Sequence, residues 1–262
     1  MKRKKPLLLS FFSGLFRFFA FIVKGVFFSI VFLFKGSKRL VSGVKRQASS
    51  VPAKYVAFET TVVKGSVDSF ERRLLNESLV LAIAGRRGSG KSGLGFRILE
   101  NIHAKINRPC FVLGVSGSVL PVWIGSVDSL SGVSNRGVVL VDEGAVSFGS
   151  RNSMSKENKS LTELLATARH KDLTLIFITQ NTGMIDKTVL NLCDVILFKE
   201  GSLLQEKMER GAVKDLYKTA SVALSGVDDK RAFCYVFDAQ FEGLLKSDLP
   251  TFWSSKVSKN RA

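Results

Sequence analysis

Three features of the chain predict an α/β fold built on a mostly parallel sheet. Short apolar runs bounded by turns recur from Leu79 onward, segments of helical periodicity lie between several of them, and one run leads directly into a glycine-rich turn and an amphipathic helix. Continuous apolar runs, rather than alternating ones, are what strands buried on both faces require, and helices between them supply the cover. At 262 residues with 45% apolar composition, the chain has room for one sizeable α/β domain and an appendage.

The appendage comes first. Residues 1–35 contain the Phe-rich apolar segment 7–34, bracketed by Lys2 to Lys5 before it and Lys35, Lys38 and Arg39 after it. As one helix it is about 42 Å long, enough for a single membrane crossing. Arg17 and Lys24 interrupt it seven residues apart and share a face with Ser10. That spacing equally fits a helix lying in the membrane interface, with both basic flanks on an anionic leaflet. A cleaved secretory signal is disfavoured, because no small-residue cleavage site follows. Residues 36–54 read as a basic linker, leaving 55–262 as the α/β domain. Of the formal net charge of +17, residues 1–50 contribute eleven cations and no carboxylates, so 28 basic and 22 acidic side chains remain for the other 212 residues. The high overall charge therefore says little about the domain's own partner.

Within the domain, Tyr55 to Val63 alternates and predicts an edge strand. Leu79 to Ala84 is a buried strand, followed by Gly85-Arg86-Arg87-Gly88-Ser89-Gly90-Lys91-Ser92 and a helix from Ser92 to Ile106. This octet satisfies G-x-x-x-x-G-K-[ST], with the strand before and the helix after that the motif needs. Glycines let successive N–H groups approach a phosphate, and the helix adds the positive end of its dipole. Lys91 would reach the β/γ-phosphates of ATP, and the Ser92 hydroxyl would complete a Mg²⁺ shell.

Cys110 to Val115 predicts the next strand. Residues 116–137 are uninformative: a substrate-contacting segment or a Ser/Gly loop over Pro121 and Trp123. Val138 to Val141 is a strand ending in Asp142 and Glu143, where Asp142 would accept from Ser92 or a metal-bound water and Glu143 would polarise the attacking water. Leu161, Leu164, Leu165 and Ala168 share one face of a helix ending at His170, and Leu173 to Thr179 is a strand carrying Gln180 at its end. Gln180 could sense the γ-phosphate or orient water; Arg169 is either a partner for its helix dipole or a finger offered to a neighbouring subunit. Val195 to Phe198 and Ala232 to Phe237 predict further strands, with a charged helical stretch over 200–231 between them.

Strand, phosphate loop, Asp-Glu strand and Gln strand in this order resemble the RecA-like, additional-strand P-loop ATPases. TARHKDLTLIFITQN, with Arg169 eleven residues before Gln180, resembles the HerA/FtsK superfamily of DNA-pumping ATPases. Phe237 to Lys259 is similar to the C-terminal end of its viral branch, which includes DNA-packaging ATPases and zonula-occludens-toxin-like phage assembly proteins. The resemblance implies a hexameric ring that hydrolyses ATP at subunit interfaces and pumps DNA without reading sequence; the apolar arm adds the expectation that the ATPase domain lies on the cytoplasmic side of a host or virion membrane. DNA would then meet Arg151, Lys156 and Lys159, residues that otherwise form a solvated basic loop.

Other classes fit poorly. There is no Asn-Lys-x-Asp element to read guanine and no Arg-rich lid after Gln180 for a small-molecule kinase. Two histidines, His103 and His170, and three cysteines without metal-ligand spacing argue against a zinc site.

Overall fold

The computed structural model describes residues 51–113, 115, 119–142, 164–180, 192–202, 211–254 and 257. Among these, nine strands form one sheet in the order β1-β9-β8-β7-β2-β6-β5-β3-β4. The strands are β1 Glu59–Gly65, β2 Val80–Ala84, β3 Cys110–Leu113, β4 Ile124–Val127, β5 Val138–Val141, β6 Thr174–Thr179, β7 Val195–Phe198, β8 Phe233–Asp238 and β9 Phe241–Lys246. Helices α1 Val67–Asn76, α2 Lys91–Ile106 and α3 Ala212–Ser225 accompany them, with a helical segment over 164–170.

Six neighbouring strands, from β7 through β4, run parallel. The mostly parallel sheet expected from the sequence is therefore present, with a three-stranded antiparallel extension on one side. Within the extension, β8 and β9 are antiparallel because only residues 239 and 240 join them, too short a link for a crossover. The expected edge strand near Tyr55 is β1, whose register begins at Glu59 opposite Lys246. Residues 116–137, unreadable in the sequence, contribute the outer strand β4.

Alternate residues of the central strands feed opposite cores. Leu81, Ile83, Leu140, Ile176 and Ile178 face one side with Leu94, Ile98 and Ile102 of α2 and Phe70 and Leu74 of α1. Val139, Val141, Leu175 and Phe177 face the other, against Leu165 and Ala168 of the 164–170 segment. On that second side, Ile196 and Phe198 meet Tyr217 and Ala220 of α3. Burial on both faces explains why these strands read as unbroken apolar runs.

Helix α2 is buried continuously from Lys91 to Ile102. Its polar side, Arg97, Glu100 and Asn101, would face water in an ordinary surface helix. Here it is covered by two irregular segments. Asn101 exchanges hydrogen bonds with the Val56 backbone at 2.8 and 3.0 Å, and Glu100 accepts from Lys54 N at 3.1 Å. Residues 51–54, placed in the linker by the sequence, are thus tied to the domain. Among the described residues no helix is long and apolar enough to cross a membrane; the apolar segment 7–34 lies outside them.

Candidate functional site

The parallel strands place their carboxyl ends along one edge, which is where open α/β sheets bind ligands. β2 ends there at Ala84 and turns through residues 85–90 into α2. Gly88 and Gly90 hold φ values of +79° and +91°, in the left-handed region that glycine tolerates. A Cβ on Gly90 would lie 2.9 Å from the Arg231 carbonyl oxygen, whereas one on Gly88 would meet open space. The loop therefore has a crowded floor at Gly90 and a free rim at Gly88.

Lys91 opens α2 and curls back over the loop. Its Nζ donates to the carbonyls of Gly85 and Arg86, both at 2.8 Å. The ammonium is thus held at the loop's mouth before any phosphate arrives. Ser89 Oγ is buried and meets no hydrogen-bond partner among the described residues. A buried hydroxyl without a partner costs about 1–3 kcal/mol unless something supplies one.

A cavity of about 670 Å³ lies over this loop, and Arg87, Gly88, Gly90, Lys91, Ser92 and Gln180 contribute to its wall. Ser92 and Asp142 also share the lining of a smaller pocket beside it. The strand order explains the convergence. β6 sits between β2 and β5, so Gln180, one residue past β6, stands between the phosphate loop and Asp142. The strands that intervene in sequence, β3 and β4, lie outside β5 instead.

The remaining expected site residues are placed as follows. Gly85, Arg86 and Ser89 support the loop and do not line the cavity. Arg86 turns toward Glu200: its backbone N–H donates to the Glu200 carbonyl at 2.9 Å and its guanidinium pairs with the Glu200 carboxylate at 2.5 Å. Arg169 is exposed at the opposite edge of the sheet, where Leu173 N bonds Ala168 O and Thr174 N bonds Gly137 O. It does not meet the site of its own subunit. Glu143, Arg151, Lys156 and Lys159 lie outside the described residues.

One basic residue of the site escaped the sequence reading. Lys199 follows β7, is 1% exposed, packs beneath Gly85 and Gly90, and donates to the Arg231 carbonyl. Burial lowers its pKa from the ordinary lysine value, against the opposing pull of Cys234 and Asp229. The signal available in sequence was only a lysine at a strand end. The cysteines are poor nucleophiles: desolvation pushes Cys110, Cys193 and Cys234 each up to about 12.

A phosphate cradle with a lysine over it, a hydroxyl and a carboxylate in one adjoining pocket fit a magnesium-bound triphosphate. Mg²⁺ commonly takes one or two protein oxygens and completes its shell with phosphate and water. Ser92 and Asp142 are the residues that would hold it.

No protein-family model and no curated protein matches the chain. Among solved structures it is similar to the DNA-packaging ATPase B204 of Sulfolobus turreted icosahedral virus, at 16% identity over 66% of this chain and 99% of that one, with a TM-score of 0.49. It is also similar to the pCW3 conjugation coupling protein TcpA, at 13% identity over 79% of this chain and 71% of that one, TM-score 0.49. ATPases 2 and 3 of EccC from Thermomonospora curvata match at 15% identity over 65% of this chain and 37% of that one, TM-score 0.44.

Proposed function

We propose that this chain is a P-loop ATPase of the HerA/FtsK kind that uses ATP hydrolysis to move DNA, acting in genome packaging at a membrane. The observation that carries the ATPase part is the meeting of Lys91, Ser92 and Gln180 in one cavity with Asp142 next to Ser92. The DNA part rests on the sequence resemblance around Arg169 and Gln180 and on the basic loop with Arg151, Lys156 and Lys159.

In this reading the Lys91 ammonium exchanges its two carbonyl acceptors for phosphate oxygens, so little reorganisation accompanies binding. Bound Mg²⁺ would neutralise charge on the β- and γ-phosphates. Gln180 donates its amide toward the γ-phosphate and reports its loss to the segment that follows β6. Glu143 orients and activates the attacking water. Arg169, set on the far edge of its own sheet, serves the site of the neighbouring subunit in a hexameric ring. The apolar segment 7–34 attaches the ring to the membrane and leaves the ATPase domain on the cytoplasmic side.

The apolar arm also favours a second reading, a membrane-anchored assembly ATPase that extrudes a DNA–protein particle, as in zonula-occludens-toxin-like proteins. ATP hydrolysis by the full chain in detergent, with and without double-stranded DNA, separates the two. Acceleration by naked DNA of unrelated sequences supports packaging. Hydrolysis indifferent to DNA overturns it in favour of the assembly role.

A further inference from the structure

The cavity extends beyond the phosphate loop to an irregular strap after β9, residues 247–253. Triphosphate chemistry gives that end nothing to do, yet a buried ion pair of α2 is hydrogen-bonded to it. Arg97 and Glu100 of α2 form an ion pair at 2.9 Å whose side chains are 2% and 0% exposed. Both also bond Lys54, through its carbonyl at 3.3 Å and its N–H at 3.1 Å, and both reach the strap. Arg97 donates to the carbonyls of Asp248, at 3.2 Å, and Leu249; Glu100 accepts from Thr251 N at 3.0 Å and from the Thr251 hydroxyl. The helix that begins with Lys91 therefore fixes the strap relative to the phosphate loop.

The strap turns two large apolar side chains to the cavity, Leu249 and Trp253. Leu249 is 56% exposed, with a methyl over Gly93 of α2, where a Cβ would come within 2.8 Å of it. Trp253 leans on Phe96 with ring centroids 6.0 Å apart and shows the rest of its ring to the cavity. An exposed leucine is unremarkable by itself. Beside a half-buried indole, on a backbone anchored by a buried ion pair and in the same cavity as Lys91, it forms a flat apolar wall. Asp248 of the strap lines this end, and Asp229, which accepts from Arg231 N at 3.1 Å, lines the cavity together with Arg231. Their carboxylates repel phosphate and accept from hydroxyls, so a nucleotide is oriented with its anionic tail at Lys91 and its sugar and base toward the strap.

We infer that the strap is the base-and-ribose subsite: a purine ring lies on Leu249 and Trp253, and the ribose hydroxyls face Asp229 and Asp248. This rests on the phosphate-loop reading above and assigns the part of the ligand that the loop does not hold. Arg97 and Glu100 act as positioning residues.

The test uses the full chain in mild detergent with two probes, Mg-ATP and Mg-tripolyphosphate, which has no base. The only other tryptophan, Trp123, stacks on His103 outside this cavity. Mg-ATP is expected to change indole emission in the wild type and not in Trp253→Phe, while tripolyphosphate competes with ATP without changing emission. Leu249→Ala is expected to weaken ATP about tenfold, the scale of losing a buried aliphatic contact, and to leave tripolyphosphate affinity unchanged. If both ligands bind, but Trp253 stays silent and Leu249→Ala leaves their affinity ratio as it was, the subsite is wrong and the phosphate loop stands. If neither ligand binds the folded protein, the phosphate-loop reading falls, and this one with it.

Discussion

Placing an alanine at Gly90 and, separately, at Gly88 measures how the loop is built. Both glycines have positive φ, so either substitution carries a backbone penalty of roughly 1–2 kcal/mol. Only at Gly90 does the new methyl collide, 2.9 Å from the Arg231 carbonyl oxygen and 3.3 Å from Lys199 Cε. That carbonyl cannot swing aside freely, because it accepts from the buried Lys199 ammonium. Overpacking of this kind adds roughly 1–3 kcal/mol. For a chain of this size each kcal/mol lowers Tm by roughly 2–4 °C. Gly88→Ala is therefore expected to cost roughly 2–8 °C and Gly90→Ala roughly 4–20 °C, read by thermal unfolding in circular dichroism. Gly90→Ala is also expected to lose Mg-ATP binding in a fluorescence titration. Equal losses of stability for the two variants would refute the argument that Lys199 and Arg231 form the floor of the loop.

Three further outcomes follow from the same geometry. Glu143→Gln and Arg169→Ala are each expected to bind ATP and not hydrolyse it; mixing the two should restore part of the activity, since a mixed interface can unite an intact Glu143 with an intact Arg169, and failure at every ratio removes the shared-interface role. Arg97→Met removes the counter-charge of the buried Glu100 carboxylate and is expected to cost about 3–5 kcal/mol in urea unfolding; a loss below about 1 kcal/mol would show that the pair does not hold the strap. Because burial lowers the pKa of Lys199, the folded state sheds this proton at lower pH than the unfolded chain. Its contribution to stability accordingly improves as pH rises from the lowered folded value toward the ordinary lysine value of 10.5. The difference in Tm between wild type and Lys199→Met is expected to shift in the wild type's favour over that window, and a flat difference would mean that Lys199 titrates normally.

The part of this molecule legible in sequence is the part that local pattern determines. The strand, loop and helix from Val80 to Ile106 announce themselves, because the glycine spacing and the flanking apolar runs are contiguous. Asp142 and Gln180 are legible as positions at the ends of strands buried on both faces. What stayed hidden depends on non-local cover. Arg97, Glu100 and Asn101 have the spacing of a solvated helix face, and only residues 51–56 and the strap, about 45 to 150 positions away, make them interior. Lys199 looks like a surface cation at a strand end until β8 and the loop before it close over it. The antiparallel turn of β8 and β9 was missed for a related reason: an apolar run gives no direction, and the direction is set by the two-residue link.

The most direct measurement is phosphate release from Mg-ATP by the full chain, run beside Lys91→Ala and Asp142→Asn. Steady turnover is expected in the wild type and its loss in both variants, with both still folded by circular dichroism. Turnover that survives in either variant, or a well-folded wild type that never cleaves ATP, would contradict the assignment of this edge of the sheet as a triphosphate site.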